Sequence, residues 1–139
     1  MRHRKNNVKF GRSKSHREAL LSMLAVALVK AKKVRTTLDK AKALRPYVEK
    51  IVTTARKGGV NAIRKVSAEL LQDQAAVKEV FGTIVPMLAG RNGGYTRIVK
   101  IGARQHDGAE MAVISWVDEA PEGQKKEEAP ADSAAPEAK

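Results

Sequence analysis

The first seventeen residues hold the densest group of side chains that could do chemistry. They contain seven Lys or Arg, two His and no Asp or Glu. The cations are Arg2, Arg4, Lys5, Lys9, Arg12, Lys14 and Arg17, and the imidazoles are His3 and His16. Only Val8 and Phe10 are clearly core-forming after Met1, so this segment cannot bury enough apolar surface to offset its ordering entropy. Its charge predicts that it binds a polyanion.

Two other places could be drawn as catalytic sites, and each has a simpler interpretation. His106, Asp107 and Glu110 could form a carboxylate–imidazole cluster, but an Asp-Gly pair within them is a turn sequence, and we interpret the segment as a polar hairpin loop. Ser15 beside His16 could be a nucleophile and its base, but adjacent helix positions do not face each other. The chain has no Cys, which excludes disulfides and Cys-ligated zinc. We therefore expect no enzymatic activity, no metal and no cofactor.

A glycine-rich loop is predicted at residues 90–94 (GRNGG). It lacks the Gly-Lys-Ser/Thr of a P-loop, and it precedes a predicted strand, whereas a P-loop opens a helix. We interpret it as a backbone bend that lies close to phosphates, with Arg91 and Asn92 as donors.

The elements that position these residues follow from the hydrophobic pattern. Residues 1–14 are predicted to be an extended arm, and a capping box at Ser15 and Glu18 starts the first helix. Apolar residues surround that helix, which predicts that it is buried in the middle of the domain. Period-two alternation over 33–38 predicts a strand with a basic outer face. Helical spacing covers 39–57, 61–72 and a third segment that begins at Asp73, the predicted N-cap.

Two β-like runs end the folded part of the chain, at residues 95–102 and 110–117, and they are predicted to pair as an antiparallel hairpin. The expected fold class is a two-layer α+β domain, in which a small three-stranded mixed sheet packs on helices. We expect one globular domain over residues 15–118. The Ala-, Pro-, Glu- and Lys-rich tail over 119–139 is predicted to be disordered.

The formal net charge of the chain is +12 and is unevenly distributed. Residues 118–139 hold seven acids and three bases, a net of −4, which leaves +16 on residues 1–117. A domain this basic favours nucleic acid or an anionic membrane as its partner, but the longest apolar stretch, 19–29, is shorter than the ~20 residues that span a bilayer. Aromatic residues are only 4% of the chain, so phosphate and shape contacts with folded RNA are favoured over base reading. A DNA-binding architectural or regulatory protein and an RNA-modifying enzyme remain as alternatives.

Five segments resemble one protein family. They are residues 1–5 (MRHRK), 15–17 (SHR), 34–42 (VRTTLDKAK), 49–56 (EKIVTTAR) and 93–98 (GGYTRI), and they resemble the seventeenth protein in the bacterial large-subunit ribosomal series. Val34 and Asp39 stand where that family often has Ile and Pro. The resemblance implies a cytoplasmic, non-catalytic constituent of the large ribosomal subunit that supports translation. It also implies binding to 23S ribosomal RNA, neighbouring large-subunit proteins as partners, a place near the exit of the peptide tunnel, and a two-layer fold with a three-stranded sheet.

The predicted RNA-binding residues lie in the arm, the first strand, the second helix, the glycine-rich loop and the strand after it. They are Arg2, His3, Arg4, Lys5, Lys9, Arg12, Lys14, His16, Arg17, Lys33, Arg35, Lys40, Lys42, Arg45, Arg91, Asn92, Tyr95, Arg97 and Lys100.

Overall fold

The structure is a computed structural model that describes residues 8–117. Its elements are α1 (Lys14–Ala31), β1 (Lys33–Thr37), α2 (Leu38–Arg56), α3 (Gly59–Glu69), α4 (Gln74–Glu79), a π-helical turn (Val80–Ile84), α5 (Val85–Met87), β2 (Thr96–Ala103) and β3 (Glu110–Trp116). The predicted order of helix, strand, three helical segments and two strands is confirmed, with α4 to α5 as one continuous segment. Residues 1–7 of the predicted arm and the predicted tail lie outside the described residues.

Helix α2 is the element on which the others pack. Its buried residues recur at helical spacing along its whole length, and they are Leu38, Ala41, Leu44, Val48, Ile51, Val52 and Ala55. Asp39 lies in its first turn and Arg56 in its last, which suits the helix dipole at both ends. The helix touches α1, α3 and all three strands, so its apolar stripe forms the centre of the core.

Helix α1 is less buried than its apolar sequence predicts. Ser22, Ala25, Leu28 and Val29 are its buried residues, whereas the Met23 side chain is 62% exposed. The prediction of a helix buried on every face was therefore wrong. The reason is that α2 occupies the centre of the domain and α1 packs on its side, so only one face of α1 is covered.

The predicted start of α1 also needs correction. The helix begins one residue before Ser15, and Ser13 occupies the N-cap position with no side-chain cap bond. The backbone carbonyl of Ser13 accepts from the N–H of Arg17 at 3.0 Å, while the Ser15 hydroxyl lies 3.5 Å from that of Ser13. The capping box at Ser15 and Glu18 is therefore not formed.

The three described strands form a sheet with the order β1-β3-β2. Strand β3 is antiparallel to both neighbours, so the predicted hairpin is confirmed and the predicted mixed sheet was wrong. Strands β1 and β2 run in the same direction, but they do not touch because β3 lies between them. Periodicity identifies a strand and its buried face, but it does not say which neighbour the strand will pair with.

The helix-facing side of the sheet is buried and the outer side is open, which gives the two predicted layers. Ala112, Ile114 and Trp116 of β3 are no more than 2% exposed, and the Trp116 indole N–H donates to the Leu28 carbonyl at 3.3 Å. This bond ties the last strand to α1. On the outer side, Val99 is 52% exposed.

The predicted N-cap at Asp73 is confirmed. Its Oδ1 accepts from the backbone N–H groups of Ala75 and Ala76, both at 3.1 Å, and starts α4. The helix then widens into the π turn, in which the N–H of Val85 bonds to the Val80 carbonyl. Pro86 follows directly, and because proline lacks an N–H and crowds the preceding turn, a widened turn accommodates it. None of the helices within residues 8–117 is long and apolar enough to cross a membrane.

Candidate nucleic-acid interface

The outer face of the sheet brings together cations that are far apart in sequence. Lys33 of β1 and Arg97 of β2 both align with Ser115 of β3, so they flank it in one row across the sheet. Arg35 lies on the same face of β1, two residues further along. All three cationic side chains are exposed. Neighbouring strands are about 4.8 Å apart, so the row spans about 10 Å.

Lys100 does not share this face. It aligns with Ala112, which is fully buried against the helices, so Lys100 belongs to the helix-facing side of β2. Because β2 is at the edge of the sheet, the side chain is nevertheless exposed. The sequence prediction therefore included one residue that points away from the others on the sheet.

Strand β1 leads directly into α2, whose first turns add more cations. Lys42 and Arg45 are exposed and three residues apart, which places them on one side of the helix. Lys40 is half-buried. Five of the six charged residues between positions 33 and 45 are cations, and the exception is Asp39. We call Lys33, Arg35, Lys40, Lys42 and Arg45 the β1–α2 surface.

The described end of the arm forms a turn before α1. Phe10 and Gly11 have φ angles of 53° and 61°, and the N–H of Arg12 donates to the Lys9 carbonyl at 3.0 Å. The Arg12 side chain bends back so that Nη1 donates to the Phe10 carbonyl at 3.1 Å. Arg12 is therefore partly engaged by its own turn.

The remaining predicted residues of the arm divide into two groups. Lys9, Lys14 and His16 are exposed around the turn and the start of α1, with Arg17 half-buried beside them. Arg2, His3, Arg4 and Lys5 lie outside the described residues, so their predicted role stays a prediction.

Two cations close to the β1–α2 surface in sequence are held by the protein's own carboxylates. Lys30 Nζ lies 2.5 Å from Asp73 Oδ2, and Lys32 Nζ pairs with Glu79 of α4. The hydrogen bond from each lysine is the main reason that the pKa values of Asp73 and Glu79 are lowered. We call these four residues the α1–α4 junction. No sequence pattern pointed to these pairs, because the partners are 43 and 47 residues apart.

Arg56 organises the glycine-rich loop, and the sequence prediction did not include it. From the last turn of α2 its guanidinium donates to the carbonyls of Ala89, at 3.2 Å, and Arg91. It also donates to the Tyr95 hydroxyl at 2.9 Å. From the sequence, Arg56 is only one of several basic residues in α2. Its acceptors lie 33 to 39 residues further along the chain, so no local pattern indicates them.

Tyr95 was predicted to bind RNA, and its position contradicts that role. Its side chain is only 1% exposed, its ring packs in the core, and its hydroxyl is used by Arg56. The aromatic ring before β2 therefore anchors the glycine-rich loop instead of contacting a partner. Arg91 and Asn92, the other predicted residues of that loop, are exposed.

The hairpin loop that could be drawn as a catalytic cluster is a structural turn. The Arg104 Nε donates to Asp107 Oδ1 at 2.9 Å, and the same oxygen accepts from the N–H of Ala109 at 3.2 Å. Arg104 holds the pKa of Asp107 well below its usual range, so this carboxylate is committed to a cation. Gly108 has φ 63°, a conformation that a turn needs and glycine adopts readily. Within residues 8–117 no three His, Cys, Asp or Glu side chains are grouped so that they could hold a metal ion.

Comparison with known proteins gives a consistent result over the described residues. Residues 20–117 match the family described as "Ribosomal protein L17". The chain is 53% identical over 117 residues to the large ribosomal subunit protein bL17 of Campylobacter lari, covering 84% of this chain and 99% of that protein. It is 47% identical over 131 residues to the protein of the same name from Akkermansia muciniphila, covering 94% and 96%. The chain therefore belongs to the ribosomal protein L17 family.

Proposed function

We propose that this protein is a structural, non-catalytic constituent of the large ribosomal subunit in the cytoplasm, where it binds 23S ribosomal RNA and supports translation. The observation that carries the proposal is the β1–α2 surface, in which five cations follow one another across a strand and a helix start. The names of the relatives, which are large ribosomal subunit proteins, support the same reading. A place near the exit of the peptide tunnel and contacts with neighbouring large-subunit proteins are part of the proposal.

The chemistry of the surface favours phosphate contacts. Lys and Arg on a rigid strand and helix hold their charges at fixed spacing, and RNA binding is strengthened when each neutralised phosphate releases counterions. The outer sheet face within residues 8–117 has no aromatic side chain on which a base could stack. The residues that the strand register aligns on it are Lys33, Arg35, Thr37, Arg97, Val99, Met111, Val113 and Ser115. Shape and backbone charge, not base identity, are therefore what this protein would recognise.

Competition binding tests the proposal and separates RNA from DNA. Labelled protein is bound to a full-length 23S transcript, and unlabelled 23S transcript or duplex DNA is added at equal phosphate concentration. We expect the transcript to compete at least tenfold better, because folded RNA offers crevices that match a rigid basic surface. Equal competition by duplex DNA would favour the DNA-binding alternative and contradict the proposal.

A second measurement tests membership in the particle. In a high-salt sucrose gradient of cell extract, the protein should sediment with large subunits, because contacts with folded RNA on several faces release slowly. Protein that is entirely at the top of the gradient at moderate salt would contradict the proposal.

A further inference from the structure

Residues 89–94, which contain the glycine-rich loop, lie between α5 and β2 and are held on their core side by one side chain. Arg56 donates to the carbonyls of Ala89 and Arg91 and to the hydroxyl of Tyr95, and its Cζ lies 6.0 Å from the centroid of the Tyr95 ring. Tyr95 is buried, and its carbonyl accepts from the N–H of Val117 at 3.1 Å. Both ends of the loop are thus fixed to the core through the same guanidinium and ring.

The direction of these carbonyls determines where the neighbouring donors point. All peptide bonds between residues 8 and 117 are trans, so each N–H points opposite to the carbonyl of the preceding residue. Since the carbonyls of Ala89 and Arg91 face Arg56, the N–H groups of Gly90 and Asn92 face the other way. Gly90 and Asn92 are exposed, which places those two donors on the outer side of the loop.

The outer side of the loop therefore has the composition of an anion site. It combines two backbone N–H donors that face away from Arg56 with the exposed side chains of Arg91 and Asn92, and donors of these kinds suit a phosphate oxygen. Gly94, with φ 63°, lets the chain turn back toward β2 without a steric penalty.

We propose that Arg56 is a positioning residue that presents the outer side of loop 89–94 to an RNA phosphate without contacting RNA itself. The inference rests on the proposed function, since the phosphate is that of the ribosomal RNA. The planar guanidinium is required because it reaches three acceptors at once. A lysine carries the same charge on a single nitrogen and cannot hold both carbonyls and the phenol in a fixed plane.

The test is a charge-conserving exchange. Arg56→Lys keeps the net charge and removes the forked donor. Lys57→Arg is the matched control, because Lys57 is the adjacent exposed residue and makes none of the bonds that Arg56 makes to the loop. Affinity for a 23S transcript and its dependence on salt are measured for both variants, for Arg91→Gln and for the double variant Arg56→Lys/Arg91→Gln. Thermal unfolding checks that each variant is folded.

We expect Arg56→Lys to weaken binding roughly tenfold, the effect of losing about one charge-assisted hydrogen bond. The salt slope should fall by about 0.7–0.9, the value for one lost phosphate contact, although the net charge is unchanged. In the Arg91→Gln background the exchange should have a smaller effect than in the unmodified protein, because the Arg91 part of the contact that Arg56 positions has already been removed. Lys57→Arg should leave affinity and slope as they are.

Three results would overturn the inference. An Arg56→Lys protein with the affinity and slope of the unmodified chain would show that the loop needs no forked donor, or that Arg56 acts only as a charge. A lower melting temperature with unchanged binding would show a purely structural role. Additive effects of Arg56→Lys and Arg91→Gln would show that the residues act separately. Each of these leaves the proposed function intact, because that function is tested on the unmodified protein by the competition and sedimentation measurements.

Discussion

The β1–α2 surface and the α1–α4 junction contain the same kinds of cation within a few residues, and the fold uses them in opposite ways. Lys30 lies in the last turn of α1 and Lys32 directly after it, and they bind Asp73, the N-cap of α4, and Glu79, its last residue. Arg35 lies in the next strand, where it is exposed on the outer face of the sheet. The fold therefore pairs some cations of this basic run with its own carboxylates and leaves others exposed on the sheet.

The division occurs at a single backbone position. Lys32 has φ 62°, a left-handed conformation that ends α1 and redirects the chain into β1. Before this turn the side chains face α4, and after it they alternate across the sheet. A run of basic residues should therefore be divided at its turns before a binding surface is assigned to it, because side chains before and after a turn face different parts of the protein.

The largest effect is expected from a change in the core, at the residue of β3 that connects the sheet to α1. Trp116→Ala removes a 2%-exposed ring and the indole bond to Leu28, and should lower the free energy of unfolding by about 3–5 kcal/mol. Chemical denaturation of the purified protein measures this. Trp116→Phe, which keeps a ring, should cost clearly less, and equal losses for the two variants would show that packing of the ring is not the cause.

The sharpest contrast between the two regions comes from matched double variants. Arg35→Gln/Lys42→Gln removes two charges from the β1–α2 surface, and Lys30→Gln/Lys32→Gln removes two from the junction. The first should reduce the salt slope for 23S binding by about 1.4–1.8, because each phosphate contact contributes about 0.7–0.9.

The junction variant should leave that slope nearly unchanged and lower the melting temperature instead, since its lysines bind protein carboxylates. Equal slopes for the two variants would show that the two sets of cations are equivalent toward RNA. That result would contradict the expected difference between the β1–α2 surface and the junction.

A pH experiment tests the contact between Ser22 of α1 and Tyr47 of α2. The Tyr47 hydroxyl lies 2.8 Å from Ser22 Oγ and donates to Glu69 Oε2 at 2.6 Å, and burial followed by this bond raises the pKa of Tyr47 to about 12. The unfolded chain loses the proton near pH 10, so the contribution of the phenol to stability is present below that pH and is lost as the pH rises toward about 12.

Unfolding of the unmodified protein and of Tyr47→Phe is compared across this window. The stability difference between them should shrink between pH 10 and 12, because phenylalanine has no proton to lose. A constant difference would mean that the hydroxyl does not titrate as its environment predicts.

The smallest effect separates the two roles of Asp73 in the junction. Asp73→Asn keeps an oxygen that can cap α4 but loses the charge that pairs with Lys30, whereas Asp73→Ala loses both. We expect a lower melting temperature for the alanine variant than for the asparagine variant, and only the asparagine effect should disappear in 1 M salt. If salt abolished both effects, the cap would contribute nothing.

The local features of the fold were predictable from the sequence, and the non-local ones were not. The Asp73 cap and the antiparallel hairpin depend on nearby residues, and both are confirmed. Ser13 and Ser15 both suit the start of α1. The sequence pattern predicted Ser15 as the N-cap, whereas Ser13 occupies that position in the structure.

Strand neighbours, the exposed side of α1 and the residues that hold the glycine-rich loop depend on contacts across the whole domain. Arg56 and Tyr95 show this for the candidate site, since they are 39 residues apart and define each other's role. The predicted RNA contact of Tyr95 failed because an aromatic residue in a basic segment has the same sequence signature whether it is buried or exposed.

Lysine reactivity shows which cations RNA covers, and we propose that RNA covers the β1–α2 surface but not the α1–α4 junction. Free protein and its complex with a 23S transcript are treated briefly with an acetylating reagent, and mass spectrometry compares the modification of each lysine. We expect Lys40 and Lys42 to become protected in the complex, while the reactivity of Lys30 and Lys32 does not change. Protection of Lys30 and Lys32 with Lys40 and Lys42 still reactive would contradict it.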